Sequence, residues 1–190
     1  METKDQTSAI RPRLYLDVDG CLCPFRNPDP AWGAVKRTEV TLNYGGGMAA
    51  KYKLIWAPPL IVALEALREE FGLELVWLTT WNELDAARDK LVPRFQGLAG
   101  GRVLEFTPGP LKPGEARGYW KAQRLLEDQA SDPGPFIWID DAEVELHGWK
   151  VLAATVGTPS LLIPPNSMVG LRVDEVERMR VWLQTTRLEG

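Results

Sequence analysis

Hydrophobic and polar positions along this chain change period repeatedly, from short apolar runs to helically spaced stripes and back. Arg13 to Val18 (RLYLDV) is an apolar, β-prone run that ends at an acidic turn with Gly20, which predicts a buried strand. After a proline-rich stretch, Thr38 to Tyr44 and Lys51 to Trp56 flank three glycines and predict a β-hairpin. Pro58 and Pro59 open a helix with apolar residues Leu60, Ile61, Leu64, Leu67 and Phe71 on one face, and Gly72 ends it. Leu73 to Leu78 is a second buried strand, followed by a helix predicted over about Asn82 to Val92. A weak strand at Arg102 to Phe106, a helix from about Arg117 to Gln129 and a strong strand at Phe136 to Ile139 come next. A helix near Glu143 to Leu152, a strand at Ser160 to Ile163 and a final amphipathic helix complete the series.

Strands that alternate with helices build βαβ units, so the expected fold is α/β: a three-layer sandwich around a mostly parallel sheet. In such sheets ligands bind beyond the carboxyl ends of the strands. The polar residues at those ends are Asp17-Val18-Asp19-Gly20, Thr79-Thr80 and Asp140-Asp141. If their strands are neighbours, four carboxylates and two hydroxyls converge on one edge. Carboxylates that close repel one another unless a cation sits among them, and a hard divalent ion such as Mg²⁺ suits oxygen ligands. Gly20 allows a turn that aims Asp17 and Asp19 differently, so that one could act as nucleophile and the other as proton donor.

Composition then narrows the setting. With 22 Lys and Arg against 26 Asp and Glu, the net charge of −4 argues against general adhesion to nucleic acid or to an anionic membrane. At 45% apolar, the 190 residues can bury a sizeable core. Cys21 and Cys23 lie too close in sequence to form a scaffold disulfide, and Met1 to Arg11 lacks the apolar stretch of a signal peptide. No apolar run has the length to span a bilayer. A cytoplasmic protein is expected, with a flexible tail over 1–12, one domain over 13–190 and a hairpin flap at about 36–56.

Each local signal has a plain structural reading. An isolated DxDG is most often a turn, and Thr79-Thr80 or Asp140-Asp141 alone would be helix caps. The set is more specific than its parts. LYLDVDG (14–20), LVWLTTW (75–81), YWKAQ (119–123) and IWIDD (137–141) together resemble the haloacid dehalogenase-like (HAD) superfamily of phosphatases with an aspartate nucleophile. The segment LELVWLTTWNELDAARDKLVP, WIDD and the later GTPSLLIPPNSMVGL resemble, more closely, the HAD domain of Swiss Army Knife RNA repair proteins.

The resemblance implies a Rossmann-like HAD fold without a large cap domain, since only a hairpin fits between Asp19 and Pro59. It implies that Asp17 attacks phosphorus to form an aspartyl-phosphate, and that Asp19 protonates the leaving oxygen and then activates water. Mg²⁺ would be held by Asp17, the backbone carbonyl of Asp19 and Asp140, with Asp141 as a ligand or just behind. Thr79 would bond the phosphoryl oxygens and Lys121 would neutralise them, with Thr80 and Lys112 as competitors for those two roles. The substrate would be a phosphomonoester, favouring RNA or DNA ends or nucleotides; a small-metabolite phosphatase and a non-catalytic phosphate- or nucleic-acid-binding module are the alternatives. Lys36, Arg37, Lys51 and Lys53 on or beside the hairpin read as solvated charge that could also guide an anionic polymer. Trp56, Trp77, Trp138 and Trp182 fit core positions, whereas Trp32 and Trp81 lie near enough to the site to pack on a base. Cys21, Cys23 and the single histidine, His147, read as structural.

Overall fold

The computed structural model describes residues 11–106 and 120–189. Lys112, the start of the helix expected from Arg117 and most of the N-terminal tail lie outside them. Five short strands form a parallel sheet: β1 (Arg13–Leu16), β4 (Glu74–Trp77), β5 (Arg102–Val103), β6 (Phe136–Ile139) and β7 (Ser160–Ile163). Their spatial order is β5-β4-β1-β6-β7. The chain builds outward from β1 on one side, then returns to build outward on the other, which places a switch point beside β1. The antiparallel hairpin of β2 (Lys36–Gly45) and β3 (Met48–Trp56) stands apart from this sheet.

Near-continuous apolar strands are explained by cover on both faces. Leu14 and Leu16 of β1, Leu75 and Trp77 of β4, and Ile137 and Ile139 of β6 point into one core. That core is closed by helices α1 (Pro58–Phe71) and α5 (Val173–Glu189) and by the inner face of the hairpin, Val40, Leu42, Leu54 and Trp56. The alternate residues Tyr15, Val76, Leu78, Phe136 and Trp138 point into a second core with residues of α3 (Trp120–Ser131) and α4 (Glu143–Ala154). Trp56, Trp77 and Trp138 are core residues, and Trp182 packs against the core partly buried.

Three elements depart from expectation. In place of a regular helix over Asn82 to Val92, the chain makes a 3₁₀ turn over Thr80–Leu84, a π-helical turn over Ala87–Leu91, and a single α-turn, α2 (Val92–Phe95). The causes are local. Asn82 is pinned to the sheet because its amide donates to the carbonyls of Trp77 and Leu104, both at 2.8 Å, and Asp85 takes a left-handed conformation with φ 51°. Pro93 lacks the N–H that would continue the α-helical ladder. The strand β5 is two residues long rather than five, since the Leu104 carbonyl turns toward Asn82. The pairing of β1 stops at Leu16, where the chain folds into a tight loop whose N–H groups from Cys21, Leu22 and Cys23 all point at the Val18 carbonyl. Among the described residues no helix is long and apolar enough to cross a membrane.

Charge also ties helix α3 to the sheet. Asp128 accepts hydrogen bonds from the Arg102 guanidinium at 2.6 and 2.9 Å and from the Tyr15 hydroxyl at 2.6 Å, joining α3 to β5 and β1. Burial pushes the Asp128 carboxyl up, but these bonds outweigh it and hold it below the usual range. A carboxyl depressed in the folded state adds stability above its unfolded pKa, and that contribution fades as pH falls toward the folded value. Asp128→Asn is expected to lower unfolding free energy by about 1–3 kcal/mol at neutral pH. Urea titrations across the acidic range check this, and the gap between wild type and variant should close as pH falls.

Candidate active site

Register sets the site. In both ladders Leu16 is level with the last strand residue of its neighbour, Trp77 on one side and Ile139 on the other. The residues that follow therefore leave the sheet together, and the Asp17 N–H still donates to the Ile139 carbonyl at 3.0 Å. From the first turn of α3, Lys121 reaches across this edge. Its Nζ lies 2.6 Å from Asp17 Oδ2 and 2.6 Å from Asp140 Oδ2. All three side chains are buried.

The remaining carboxylate oxygens are met by backbone. Asp17 Oδ1 accepts the Val18 N–H at 2.7 Å, and Asp140 Oδ1 accepts from Ala142 at 3.0 Å and Glu143 at 2.6 Å. Burial pushes the Asp17 carboxyl up to about 7 against the pull of Lys121, and the charge of Asp140 adds to the rise. Lys121 loses from burial but gains more from its two carboxylates, so its ammonium is held charged well beyond the ordinary lysine range. One ammonium between two carboxylates leaves the trio short of positive charge.

Around this trio sit the other strand-end residues. Thr79 is fully buried and Thr80 exposed, and Thr79 Oγ1 accepts the Trp81 N–H at 3.4 Å, which leaves its hydroxyl hydrogen free to donate. Asp19 is half-buried, and its Oδ2 accepts the indole N–H of Trp81 at 2.9 Å. Burial raises the Asp19 carboxyl, opposed by that indole N–H and by Lys121. Asp141 is likewise raised, first by burial and then by the charge of Asp140.

Carboxylate and thiol atoms of Asp17, Asp141 and Cys21 lie within 4.8 Å of one another. Burial and the surrounding acids hold the Cys21 thiol well above its ordinary range, so it stays protonated and poorly suited to a hard cation. The two carboxylates are suited to one. The backbone also makes room for Asp141: a Cβ at Gly20 (φ 69°) would fall 2.3 Å from Asp141 Oδ2, so a side chain there would push the carboxylate out of place. Oxygen donors, a deficit of positive charge and this cradle fit a divalent cation such as Mg²⁺.

A family model describing the HAD domain in Swiss Army Knife RNA repair proteins matches residues 13–176. The chain belongs to this family. No curated protein and no solved structure matches the chain. Membership in the HAD family implies hydrolase chemistry of the phosphatase type, and members generally use Mg²⁺.

Of the residues expected at the HAD site, Asp17, Asp140 and Lys121 are in direct contact, Asp141 converges with Asp17, and Asp19 and Thr79 are joined through Trp81. Of the two tryptophans expected near the site, Trp32 is partly buried and Trp81 is buried. Trp81 is buried with its N–H committed to Asp19, and the Trp32 N–H donates to the Leu171 carbonyl at 2.8 Å.

Glu143 is a further functional group whose role the sequence does not reveal. Its carboxylate accepts the N–H groups of Lys121 at 3.2 Å and Ala122 at 2.9 Å, capping α3 from the first turn of α4. Burial pushes it up to about 7 against those two donors. In sequence, Asp140-x-x-Glu143 looks like a cap of its own helix, and nothing local reveals that the glutamate serves another one. Glu143→Ala leaves two buried N–H groups without their partner and is expected to cost about 2 kcal/mol of stability. Glu143→Gln, which keeps an acceptor, should cost less in the same denaturant titration.

Proposed function

We propose that the protein is a Mg²⁺-dependent phosphomonoester hydrolase that works through an aspartyl-phosphate on Asp17. The observation that carries this reading is the buried Lys121 ammonium shared by Asp17 and Asp140 at the carboxyl edge of the sheet. A carboxylate can approach a phosphate dianion only where charge on both is compensated. On this reading Lys121 keeps its bond to Asp140 and turns from Asp17 toward the phosphoryl oxygens, and the Thr79 hydroxyl donates to one of them. Asp17 attacks phosphorus in line, and Asp19 gives its proton to the leaving oxygen. Asp19 then takes a proton from the water that releases phosphate.

Asp17 and Asp141 would hold the Mg²⁺ with the backbone carbonyl of Asp19; Asp140, expected as a ligand, has its oxygens bonded to Lys121 and to the Ala142 and Glu143 N–H groups and instead keeps Lys121 in place. When bound, the ion would offset phosphoryl charge and act as a Lewis acid. An acid at position 19 is of no use to a module that only binds phosphate, which favours catalysis. Free, buried Cys21 and Cys23 suit a reducing compartment, and we place the activity in the cytoplasm.

For the substrate we favour a phosphorylated polynucleotide end or nucleotide. The family description names RNA repair proteins. The element beside the site is a hairpin with exposed Lys36, Arg37, Lys51 and Lys53, which could follow an anionic backbone.

Asp17→Asn should lower Mg²⁺-dependent phosphate release from 4-nitrophenyl phosphate by at least about a thousandfold, and chelation of the metal should silence the wild type. Unchanged turnover in Asp17→Asn would refute the nucleophile. Release from 3′- and 5′-phosphorylated oligonucleotides, compared with nucleotides and sugar phosphates, identifies the substrate class. Higher kcat/KM on sugar phosphates would overturn the polynucleotide reading, and no turnover on any would make this a binding module.

A further inference from the structure

Trp81 lies in the 3₁₀ turn that leaves β4, buried, two residues beyond Thr79. Its indole N–H points away from the apolar core to Asp19 Oδ2 at 2.9 Å. Among the described residues, this is the hydrogen bond that reaches the Asp19 side chain. The ring also makes a T-shaped contact with Tyr52 of β3, with ring centroids 5.1 Å apart and planes at 63°. The Tyr52 hydroxyl is in turn 2.6 Å from that of Tyr44 on β2. A continuous line of contacts thus runs from the hairpin through an indole to one oxygen of Asp19.

An indole N–H can donate and cannot accept. A neutral carboxyl receives it best on its carbonyl oxygen, the stronger acceptor, so the acidic proton is favoured on the other oxygen. We propose that Trp81 is the positioning residue for the acid step: it occupies Asp19 Oδ2, directs the proton to Oδ1 and fixes the rotation of the carboxyl, with Tyr52 clamping the ring. This rests on the phosphatase reading above.

In the first step an Asp17 oxygen bonds to phosphorus and the ester P–O bond breaks. Its electron pair goes to the leaving oxygen, which takes the proton from Oδ1. Asp19 is then a carboxylate whose Oδ2 still receives the indole N–H. In the second step Oδ1 takes a proton from water as the water oxygen bonds to phosphorus. The Asp17–phosphorus bond breaks and its electron pair returns to Asp17. Both carboxyl groups end as they began.

The need for a proton donor depends on the leaving group, which supplies the test. Phenol leaves poorly and needs the proton, whereas 4-nitrophenolate leaves readily without it. Trp81→Phe keeps a ring against Tyr52 and deletes only the donor. With Mg²⁺ present, its kcat/KM should fall on the order of tenfold or more on phenyl phosphate and by less than about threefold on 4-nitrophenyl phosphate. In an Asp19→Asn background the same change should cost nothing further. Equal losses on both esters, or the same loss in both backgrounds, would overturn the proposal.

Tyr52→Leu removes the clamp and leaves the donor, so it tests the idea without altering the buried indole. It should show the same bias at about threefold, and an unbiased loss would count against the proposal. Asp17→Asn run alongside separates the two claims. An active Asp17→Asn defeats the phosphatase reading itself, whereas an inactive one with an unbiased Trp81→Phe defeats only the role of Trp81.

Discussion

Three charged groups sit together out of water at one end of this sheet, and much of the surrounding architecture serves to keep them there. Lys121 bridges Asp17 and Asp140 at 2.6 Å on each side, with all three buried. Ion pairs removed from solvent repay their desolvation only when the geometry is good and the remaining lone pairs are satisfied. That condition accounts for the arrangement nearby. The spare oxygens of both aspartates accept backbone N–H groups, and Glu143 caps the helix from which Lys121 projects. These bonds close a circuit: Lys121 holds Asp140, Asp140 holds the Glu143 backbone, and the Glu143 side chain holds the Lys121 backbone.

The circuit draws on elements far apart in the chain. β1 and β6 deliver the aspartates because they are neighbours in register, and α3 delivers the lysine because Asp128 ties it to β5 and β1. A parallel sheet that reverses its building direction at β1 opens a crevice at that point. The hairpin stands beside the same crevice and contacts it through Tyr52 and Trp81. A phosphoryl group arriving there would meet a positive charge already in place and a carboxylate already oriented, which lowers the reorganisation needed at the moment of reaction.

Much of this arrangement was legible in the sequence, for a physical reason. Strands buried on both faces read as unbroken apolar runs, so β1, β4 and β6 stood out, and the polar residue after each was a natural site candidate. Thr79 over Thr80 follows the same logic, one residue buried at the strand end and the next exposed. Lys121, the lysine of the YWKAQ segment, meets both aspartates. What the sequence hid were groups whose partners are remote or whose signal is ambiguous. The helix expected over Asn82 to Val92 fails because Asn82 bonds the sheet and Pro93 interrupts the ladder. Glu143 resembles a cap for its own helix, and nothing local in the sequence places the Trp81 N–H on Asp19.

The central claim is that Asp17 is the nucleophile and Lys121 its charge partner. Beryllofluoride mimics a phosphoryl group on a carboxylate, so a crystal structure of the protein with Mg²⁺ and beryllofluoride tests both roles at once. Beryllium should be bonded to a carboxylate oxygen of Asp17, with Lys121 Nζ turned toward a fluorine and the Thr79 hydroxyl on another. Beryllofluoride bound to any other residue, or an Asp17 left paired with Lys121 beside an occupied site, would contradict the account.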